Sequence, residues 1–276
     1  MATLANLVRA GGVLGLLLAL PATAAADPVA ASPAVSSVER EGETYAYCMK
    51  LAKLDAAAAQ RLASEWRTRG GAHPADHCAA VALIEMGRYR EAAMRLETLA
   101  KEMNKAPASL RAEVLDQAGQ AWLLAGEPER AYAPAHEAVV LQPADLELRV
   151  DRAEAAASAG YFDRAIGDLN IVLQADPNRS EALIYRASAY RALNRLDAAL
   201  ADIEAALIRV PASVPALLER GNIRRLMGNL DGARQDWERV GEIAPGTKAD
   251  MAARANLEHL GGEWQSAPAT TSAPAR

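Results

Sequence analysis

The feature that most constrains this chain is a 34-residue spacing at which helix-ending residues recur. Four prolines stand one such step apart: Pro143, Pro177, Pro211 and Pro245. A glycine or asparagine recurs in the same register at Gly126, Gly160, Asn194 and Gly228, and an alanine follows each by five residues, at Ala131, Ala165, Ala199 and Ala233. Glycine and asparagine adopt the left-handed backbone that ends a helix, alanine lets helices approach closely, and proline stops a helix. The spacing therefore predicts an array of helix–turn–helix units.

The composition favours an all-α fold. Hydrophobic residues make up 51% of the chain but aromatic residues only 4%, and alanine supplies much of the apolar fraction. Alanine is the best helix former. The sequence has no clusters of β-branched residues that alternate with polar ones, so strands have no support.

The units resemble tetratricopeptide repeats (TPR), which place large, small, aromatic and proline residues at set positions. The unit from Ala112 carries Leu115, Ala118, Gly119, Trp122, Ala131, Ala138 and Pro143, and the unit from Leu146 carries Ala153, Gly160, Phe162, Ala165, Leu169 and Pro177. The unit from Ser180 carries Leu183, Ala187, Tyr190, Leu196, Ala199, Ala206 and Pro211, and the unit from Val214 carries Leu217, Gly221, Gly228, Leu230, Ala233, Trp237 and Pro245. The resemblance implies a right-handed solenoid of antiparallel helix pairs that serves as a scaffold for protein binding.

The chain outside these units divides by composition and periodicity. We expect a signal peptide over residues 1–26, a flexible leader over 27–41, a degenerate capping helix pair over 42–72, four to five repeats over 73–247, a C-terminal capping helix over 248–262 and a disordered tail over 263–276. The capping helix should turn Met251, Leu257 and Leu260 towards the array. Such caps cover the open ends of a solenoid.

The first residues are typical of an exported protein. Arg9 precedes an apolar run over residues 11–20, and Ala24 and Ala26 fit a cleavage site that would leave Asp27 first. The alternative is a permanent membrane anchor, but the run is about half of the roughly 20 residues that span a bilayer. We expect a periplasmic or secreted protein that is soluble after cleavage. The formal net charge of -5 argues against nucleic acid as a partner.

The two cysteines, Cys48 and Cys78, are predicted to form a disulfide. An even number of cysteines in an oxidising compartment favours a bridge over free thiols. The two residues fall on the first helices of neighbouring units, so a bridge would pin the irregular N-terminal end.

Charges that recur in register predict ion pairs. Arg152, Arg186 and Arg220 occupy one position in the first helix of three successive repeats, and Asp168, Asp202 and Asp236 occupy one position in the second helix. The two earlier repeats lack both charges, with Ala79 and Arg95 in one and Ala118 and Pro134 in the other. Arginine–aspartate pairs, within or between repeats, would fix the register of alanine-rich helices. The alternative is an anion-binding role.

Neither a metal site nor a catalytic site is expected. His73, His77 and Cys78 are close in sequence, but no further ligand lies beside them. The four histidines form no recognisable catalytic arrangement, and no phosphate-binding loop or hydrolase motif occurs. We therefore expect a protein without catalytic activity and without a cofactor.

The first helices of TPR arrays line a groove, and register assigns residues of this chain to it. The polar members are Glu113, Asp116, Gln120, Glu147, Glu154, Glu181, Ser188, Arg191, Asn222 and Arg225, and the others include His77, Val81, Ile84, Val150, Ile184 and Leu218. The first half is acidic and the far end basic, which favours an extended or helical peptide with basic residues towards the N-terminal side of the protein. The alternative is an ordinary solvated surface. Glu113, Asp116 and Glu147 also stand where TPR domains that clamp a C-terminal carboxylate need positive or amide groups.

These patterns predict a non-catalytic adaptor or assembly factor of the periplasm or cell envelope that binds a protein or peptide. One alternative is a structural or oligomerisation element, a homodimer that pairs through a surface such as that around Trp237. Another is an accessory subunit of a cell-envelope enzyme complex.

Overall fold

The computed structural model describes residues 37–266, and all of its regular structure within that range is α-helical. The predicted signal peptide, most of the predicted leader and the last ten residues of the predicted tail lie outside the described residues. None of the helices in the described part combines the length and the apolar character needed to cross a bilayer.

Thirteen helices follow one another along residues 37–266 and pair as neighbours in sequence. Their bounds are α1 Ser37–Leu54, α2 Ala56–Thr68, α3 Ala72–Glu85, α4 Tyr89–Glu102, α5 Ala108–Leu124, α6 Pro128–Leu141, α7 Leu146–Ser158, α8 Phe162–Ala175, α9 Ser180–Ala192, α10 Leu196–Arg209, α11 Val214–Leu226, α12 Leu230–Ile243 and α13 Lys248–Ser266. Helices α1 and α2 form the first helix pair, and five further pairs follow from α3 to α12.

The recurring glycines do end the first helix of each repeat. Gly126 has a φ of 74° and Gly160 a φ of 81°, both left-handed. Asn194 adopts a φ of 57° at the position where the other repeats have glycine. Asparagine is one of the few side chains that tolerate this conformation, so the sequence keeps the turn without glycine.

The first helices form the inner side of the stack. Helix α5 packs against α7, α7 against α9, α9 against α11, and α11 against α13. The second helices of the repeats, within residues 37–266, do not pack against one another to that extent. In a curved stack the elements on the inside are closest together, so the first helices line the inner face.

Three clusters of buried side chains fill the stack. One extends from Cys48 to Ala82, the second from Ala80 to Ala155, and the third from Val150 to Leu260. Alanine is the commonest member, so most of the core is made by close approach of backbones. Large anchors are few, and Trp122 and Trp237 are among the largest that are fully buried.

The terminal boundaries differ from the predictions. Helix α1 begins at Ser37, inside the stretch predicted as leader, and α13 continues to Ser266, inside the predicted tail. Met251, predicted to face the array, is 59% exposed, whereas Leu260 is buried. The stripe of α13 that packs on the array instead includes Ala253, Leu257 and Leu260, which lie at helical spacing and leave Met251 outside it.

Candidate functional site

The candidate site is the inner face, formed by the first helices α3, α5, α7, α9 and α11. Its centre holds three carboxyl side chains that we call the carboxyl cluster: Asp116 on α5, and Asp151 and Glu154 on α7. Asp151 is near enough to Asp116 for its negative charge to act on that carboxyl group.

Burial and the neighbouring negative charges raise the pKa of two members of the cluster, Asp116 and Glu154. Burial, followed by the charge of Asp151, holds the pKa of Asp116 well above its ordinary value. Burial, followed by the charges of Asp151 and Glu181, raises the pKa of Glu154 to about 7. Tyr185 on α9 lies beside the cluster, and burial together with the charge of Glu154 raises the pKa of its hydroxyl. All three side chains of the cluster are half-buried, and a carboxyl group withdrawn from water beside like charges is costly to ionise, as is common at functional sites.

Two other acidic residues predicted for the inner face have an arginine between them. Arg179, which precedes α9, lies 2.7 Å from the carboxylate of Glu147 and 3.4 Å from that of Glu181. These two residues therefore contribute less negative charge to the face than their sequence suggests. Glu113, on α5, is exposed, and Gln120 and Ser188 are half-buried.

The predicted basic end of the face is not an open positive surface. Arg191 on α9 donates to the carboxylate of Glu219 on α11 at 2.6 Å. Asn222 accepts a hydrogen bond from Asn256 of α13 at 3.0 Å, so the cap continues the face. Arg225 is half-buried on α11. The predicted change from acidic to basic along the face is therefore wrong at the position of Arg191, because Glu219 compensates its charge.

The N-terminal end of the face is a polar chain of three side chains. The hydroxyl of Tyr45 on α1 lies 2.8 Å from Nδ1 of His77 on α3, and Nε2 of His77 lies 2.7 Å from Oε1 of Gln117 on α5. Burial lowers the pKa of His77. Both ring nitrogens of His77 therefore have a hydrogen-bonding partner. Among residues 37–266 no group of three or more His, Cys, Asp and Glu side chains is arranged to hold a metal ion.

Cys48 and Cys78 form a disulfide between α1 and α3, as predicted. Their Cα atoms are 6.1 Å apart, and both residues are fully buried. The bridge belongs to the core of the N-terminal end, close to the Tyr45–His77 contact.

The structure brings each predicted arginine together with its aspartate inside one repeat. Nε of Arg152 lies 2.7 Å from Asp168, both contacting nitrogens of Arg186 lie 2.8 Å from Asp202, and Nε of Arg220 lies 2.9 Å from Asp236. Each contact is bidentate, which fixes the angle between the two helices. The guanidinium edges are occupied by protein carboxylates, which leaves the anion-binding alternative without support.

The same arginines also reach the preceding repeat. Nη1 of Arg152 lies 3.0 Å from His136 on α6, and Nη1 of Arg186 lies 2.8 Å from Asn170 on α8. His136 and Asn170 are one repeat apart in sequence. Of the two arrangements that the sequence left open, the arginine–aspartate pairs adopt the one within a repeat, and the contacts between repeats are made to His136 and Asn170 instead.

The first repeat carries a charge-swapped version of this contact. Asp76 on α3 lies 3.4 Å from Arg95 on α4 and 3.0 Å from Arg67 on α2. Asp76 has the same position on α3 that Arg149 has on α7. Arg149 lies 3.2 Å from Asp168, so the signs of the two charges are reversed between these repeats. We call the arginine–aspartate pairs of the three later repeats the ladder. In the second repeat Ala118 and Pro134 stand at the ladder positions, and Trp122 instead donates to Glu97 at 2.7 Å.

Register reasoning missed one column of the inner face. Asp151 and Glu219 share their position with Gln117 and Tyr185, one residue after the predicted column that contains His77 and Asp116. Val150 and Leu218 of the predicted column are buried, and so is Val81 of a second predicted column, so these three side chains belong to the core. Polar and aromatic residues that recur at the repeat spacing could have revealed the missed column.

Trp237 does not form a surface. It is fully buried between α11 and α12, and a Cβ added at Gly221 would lie 2.7 Å from its Cδ1. The predicted pairing surface around Trp237 is therefore wrong, because this tryptophan fills the space that Gly221 leaves.

Neither a family model nor a curated protein matches this chain. Solved structures do match. MamA, residues 41 to the end, from Desulfovibrio magneticus RS-1 is 18% identical, with a TM-score of 0.54 over 64% of this chain and 97% of that one. The TPR protein YrrB, described as having an unusual peptide-binding site, is 15% identical, with a TM-score of 0.49 over 67% of this chain and 91% of that one.

The first TPR of Spaghetti (RPAP3), bound to an HSP90 peptide, is 26% identical, with a TM-score of 0.41 over 44% of this chain and 94% of that one. The match to MamA and the helix pairs described above show the fold, an all-α TPR solenoid, as predicted.

Proposed function

We propose that this chain, which has the TPR solenoid fold, is a non-catalytic adaptor that holds a basic segment of a protein partner against its inner face. The observation that carries the proposal is the carboxyl cluster at the centre of that face. Asp116, Asp151 and Glu154 raise the cost of one another's ionisation, and a cationic side chain between them would lower it. Binding energy would thus come from relief of a charge conflict that is present in the free protein.

The surroundings of the cluster support an extended or helical peptide as the ligand. The inner face continues across five repeats, so successive side chains of a peptide would meet successive first helices. Ile184 and Tyr185 on α9 offer half-buried apolar surface beside the carboxylates. The stem of a lysine or arginine would pack there while its charged end reached Glu154.

We further propose that the protein works outside the cytoplasm, in the periplasm or cell envelope. The buried bridge between Cys48 and Cys78 supports this, since disulfides form and persist in oxidising compartments. Because Trp237 is buried, it does not provide a contact surface for a homodimer.

A panel of synthetic peptides tests the ligand class. Three fluorescent twelve-residue peptides would differ only in carrying lysine, glutamine or glutamate at alternate positions, and binding would be followed by anisotropy at two salt concentrations. We expect the lysine peptide to bind, with an affinity that falls as salt rises, and the glutamate peptide not to bind. Equal binding of all three peptides would refute a basic partner.

Matched variants locate the binding. Glu154→Gln should weaken the lysine peptide about tenfold, because one charge-assisted contact is lost. Glu204→Gln, on the exposed surface of α10, should leave affinity unchanged. A change of equal size in both variants would show that only the net charge matters and would remove the inner face from the proposal. Light scattering on the free protein checks the rival, because a stable dimer without a partner would favour an oligomerisation element.

A further inference from the structure

Helix α13 stands in the register of a first helix. Asn256 of α13 donates to Asn222 of α11 at 3.0 Å, and the two residues are 34 positions apart. Helix α13 packs against α12 and α11 in the way that α11 packs against α10 and α9. Gly262 comes 34 residues after Gly228, at the position where the other repeats turn, but α13 continues through it. Within the described residues, no second helix therefore folds back on α13.

The side of α13 that a second helix would cover is exposed. Its residues are spaced as one helix face, and we call them the α13 stripe: Met251, Arg254, Ala255 and Glu258. All four are exposed. At the corresponding positions of α9, Leu183 and Ala187 are 5% and 0% exposed. Met251, at the position of Leu183, is 59% exposed, so the stripe presents apolar surface that is covered in α9.

Arg254 is at the position of a ladder arginine, 34 residues after Arg220. Each ladder arginine is bound by an aspartate of its second helix, and the three side chains are 14%, 20% and 21% exposed. Arg254 instead donates to Asp250 on its own helix at 2.8 Å, and its side chain is 67% exposed. Thr270 stands where the aspartate would be, and residues 267–276 contain neither Asp nor Glu. These residues therefore supply no side-chain carboxylate that could complete the ladder at Arg254.

The charges of the α13 stripe determine the order of charges on a helix that fits it. Arg224, one turn after the ladder arginine of α11, reaches the carbonyl oxygen of Gly232, one turn before Asp236, at 3.4 Å. The first and second helices of the repeat are thus antiparallel. On α13 the residue one turn after Arg254 is Glu258. A helix packed in the same way would place an acidic residue at Arg254 and, four residues earlier, a basic residue at Glu258.

The size of Ala255 selects the apolar residue that can pack beside this arginine. In α11 the corresponding residue is Gly221, and a Cβ there would lie 2.7 Å from Cδ1 of Trp237. Ala255 has such a Cβ, as Ala187 of α9 does. The residue of α10 at the position of Trp237 is Ile203, which is fully buried. An aliphatic side chain therefore fits the α13 stripe, whereas a tryptophan does not.

We propose that the α13 stripe binds an amphipathic helix of a partner protein. This helix places an aspartate or glutamate at Arg254, a lysine or arginine four residues earlier at Glu258, and an aliphatic residue against Ala255. It takes the position that the second helix has in the other repeats. The stripe lies on another side of α13 from Asn256, which continues the inner face, so this proposal does not depend on the proposed function.

The partner is a different protein and not a second copy of this chain. The ladder aspartates Asp168, Asp202 and Asp236 are buried in their own repeats, and each is bound to its arginine. Within residues 37–266 a second copy therefore has no ladder aspartate to offer to Arg254.

Two peptides of identical composition test the order of charges. Both have the sequence of α10, residues 196–209, and are held helical by a covalent link between positions 197 and 201, which are exposed in α10. One carries Ala198→Lys and keeps Asp202, and the other carries Ala198→Asp and Asp202→Lys. Circular dichroism checks that their helicity is equal, and fluorescence anisotropy measures their binding to the full chain. We expect the first peptide to bind at least about tenfold more tightly, because only its carboxylate reaches Arg254.

Variants of the protein locate the binding. Arg254→Gln should weaken the first peptide about tenfold, because the charged partner of its aspartate is removed. Arg239→Gln makes the same change in net charge on the exposed surface of α12 and should leave the affinity unchanged. Ala255→Tyr keeps every charge but places a ring on the stripe, so it should abolish binding. This last variant keeps the test decisive if Arg254→Gln does not fold.

Three results would overturn the proposal. The first is equal binding of the two peptides, or no binding of the first peptide to the native chain. The second is an equal effect of Arg254→Gln and Arg239→Gln. The third is a native dimer in light scattering that Ala255→Tyr converts to a monomer, because the stripe would then bind a second copy of the chain. The two peptides have the same net charge, so general attraction to the inner face would affect both equally, and the outcome leaves the proposed function untouched.

Discussion

The N-terminal end and the three C-terminal repeats of this molecule use different means to hold alanine-rich helices in register. In α1–α4 a disulfide joins two first helices, and Asp76 lies between Arg67 and Arg95. In α7–α12 a bidentate arginine–aspartate contact recurs in every repeat. Alanine is the commonest core residue in both regions. The shapes of large side chains therefore do little in either region to fix how the helices pack.

The difference coincides with a change in the repeat spacing. From α7 onwards each turn residue is 34 residues after the last, so one geometry can be used three times. Between Gly87 and Gly126 the spacing is 39 residues, and the ladder does not extend across this interval. There the contact of Trp122 with Glu97 and the stacking of Arg130 over the Trp122 ring take its place. A regular period allows one solution to be copied, whereas an irregular one requires a separate contact at each joint.

The largest effect is expected from removing the disulfide. Replacement of Cys48 and Cys78 by alanine opens a loop closed over 30 residues, and the free energy of unfolding should fall by about 3–4 kcal/mol in the entropic account. Urea denaturation measures this loss. Hydrogen exchange should speed up in α1–α3 and stay unchanged in α9–α12, because the bridge does not reach the C-terminal repeats. A uniform loss of protection from exchange along the chain would show that the two ends do not unfold independently.

The ladder is tested by Asp202→Ala. The change leaves the Arg186 guanidinium, whose side chain is only 20% exposed, without its bidentate partner, and we expect a loss of about 2–3 kcal/mol. Glu204→Ala, an exposed position on the same helix, should change stability by less than about 0.5 kcal/mol. If both variants have the same small effect, the ladder does not stabilise the repeats.

A double-mutant cycle with Arg186→Ala separates the pair from its two members. The coupling energy between Arg186 and Asp202 should be about 0.5–3 kcal/mol, the range for side chains in direct contact. Additive costs would mean that each residue acts on its own.

Much of the fold could be predicted because its signals are local and recur. Gly126, Gly160 and Asn194 end first helices whatever packs around them, and their spacing alone gives the repeat. The helix boundaries at the two ends were less predictable. Ser37 and Ser266 lie in Ala/Pro/Ser-rich stretches, where no capping residue or apolar stripe marks the end of a helix.

The inner face was harder to predict because it depends on which neighbour each side chain meets. The acidic character of its first half could be seen from Glu113, Asp116 and Glu154. The neutralisation of Arg191 by Glu219 could not, since that contact joins α9 to α11 across 28 residues. The predicted inner face of α7 was also off by one residue. It included Val150, which is buried, and omitted Asp151, which belongs to the carboxyl cluster.

The smallest effect is expected from Asp76→Ala, the N-terminal counterpart of the ladder. The aspartate itself is largely buried, but the side chains it would leave behind, Arg67 and Arg95, are 46% and 37% exposed and can be hydrated. The cost of breaking an ion pair depends mainly on the charge left without a partner, so we expect a loss of only about 1 kcal/mol. The comparison with Asp202→Ala under the same urea conditions is the measurement. A loss as large as that of Asp202→Ala would mean that the first repeat relies on its charges as much as the later ones, and that the disulfide is an addition to the ladder and not its replacement.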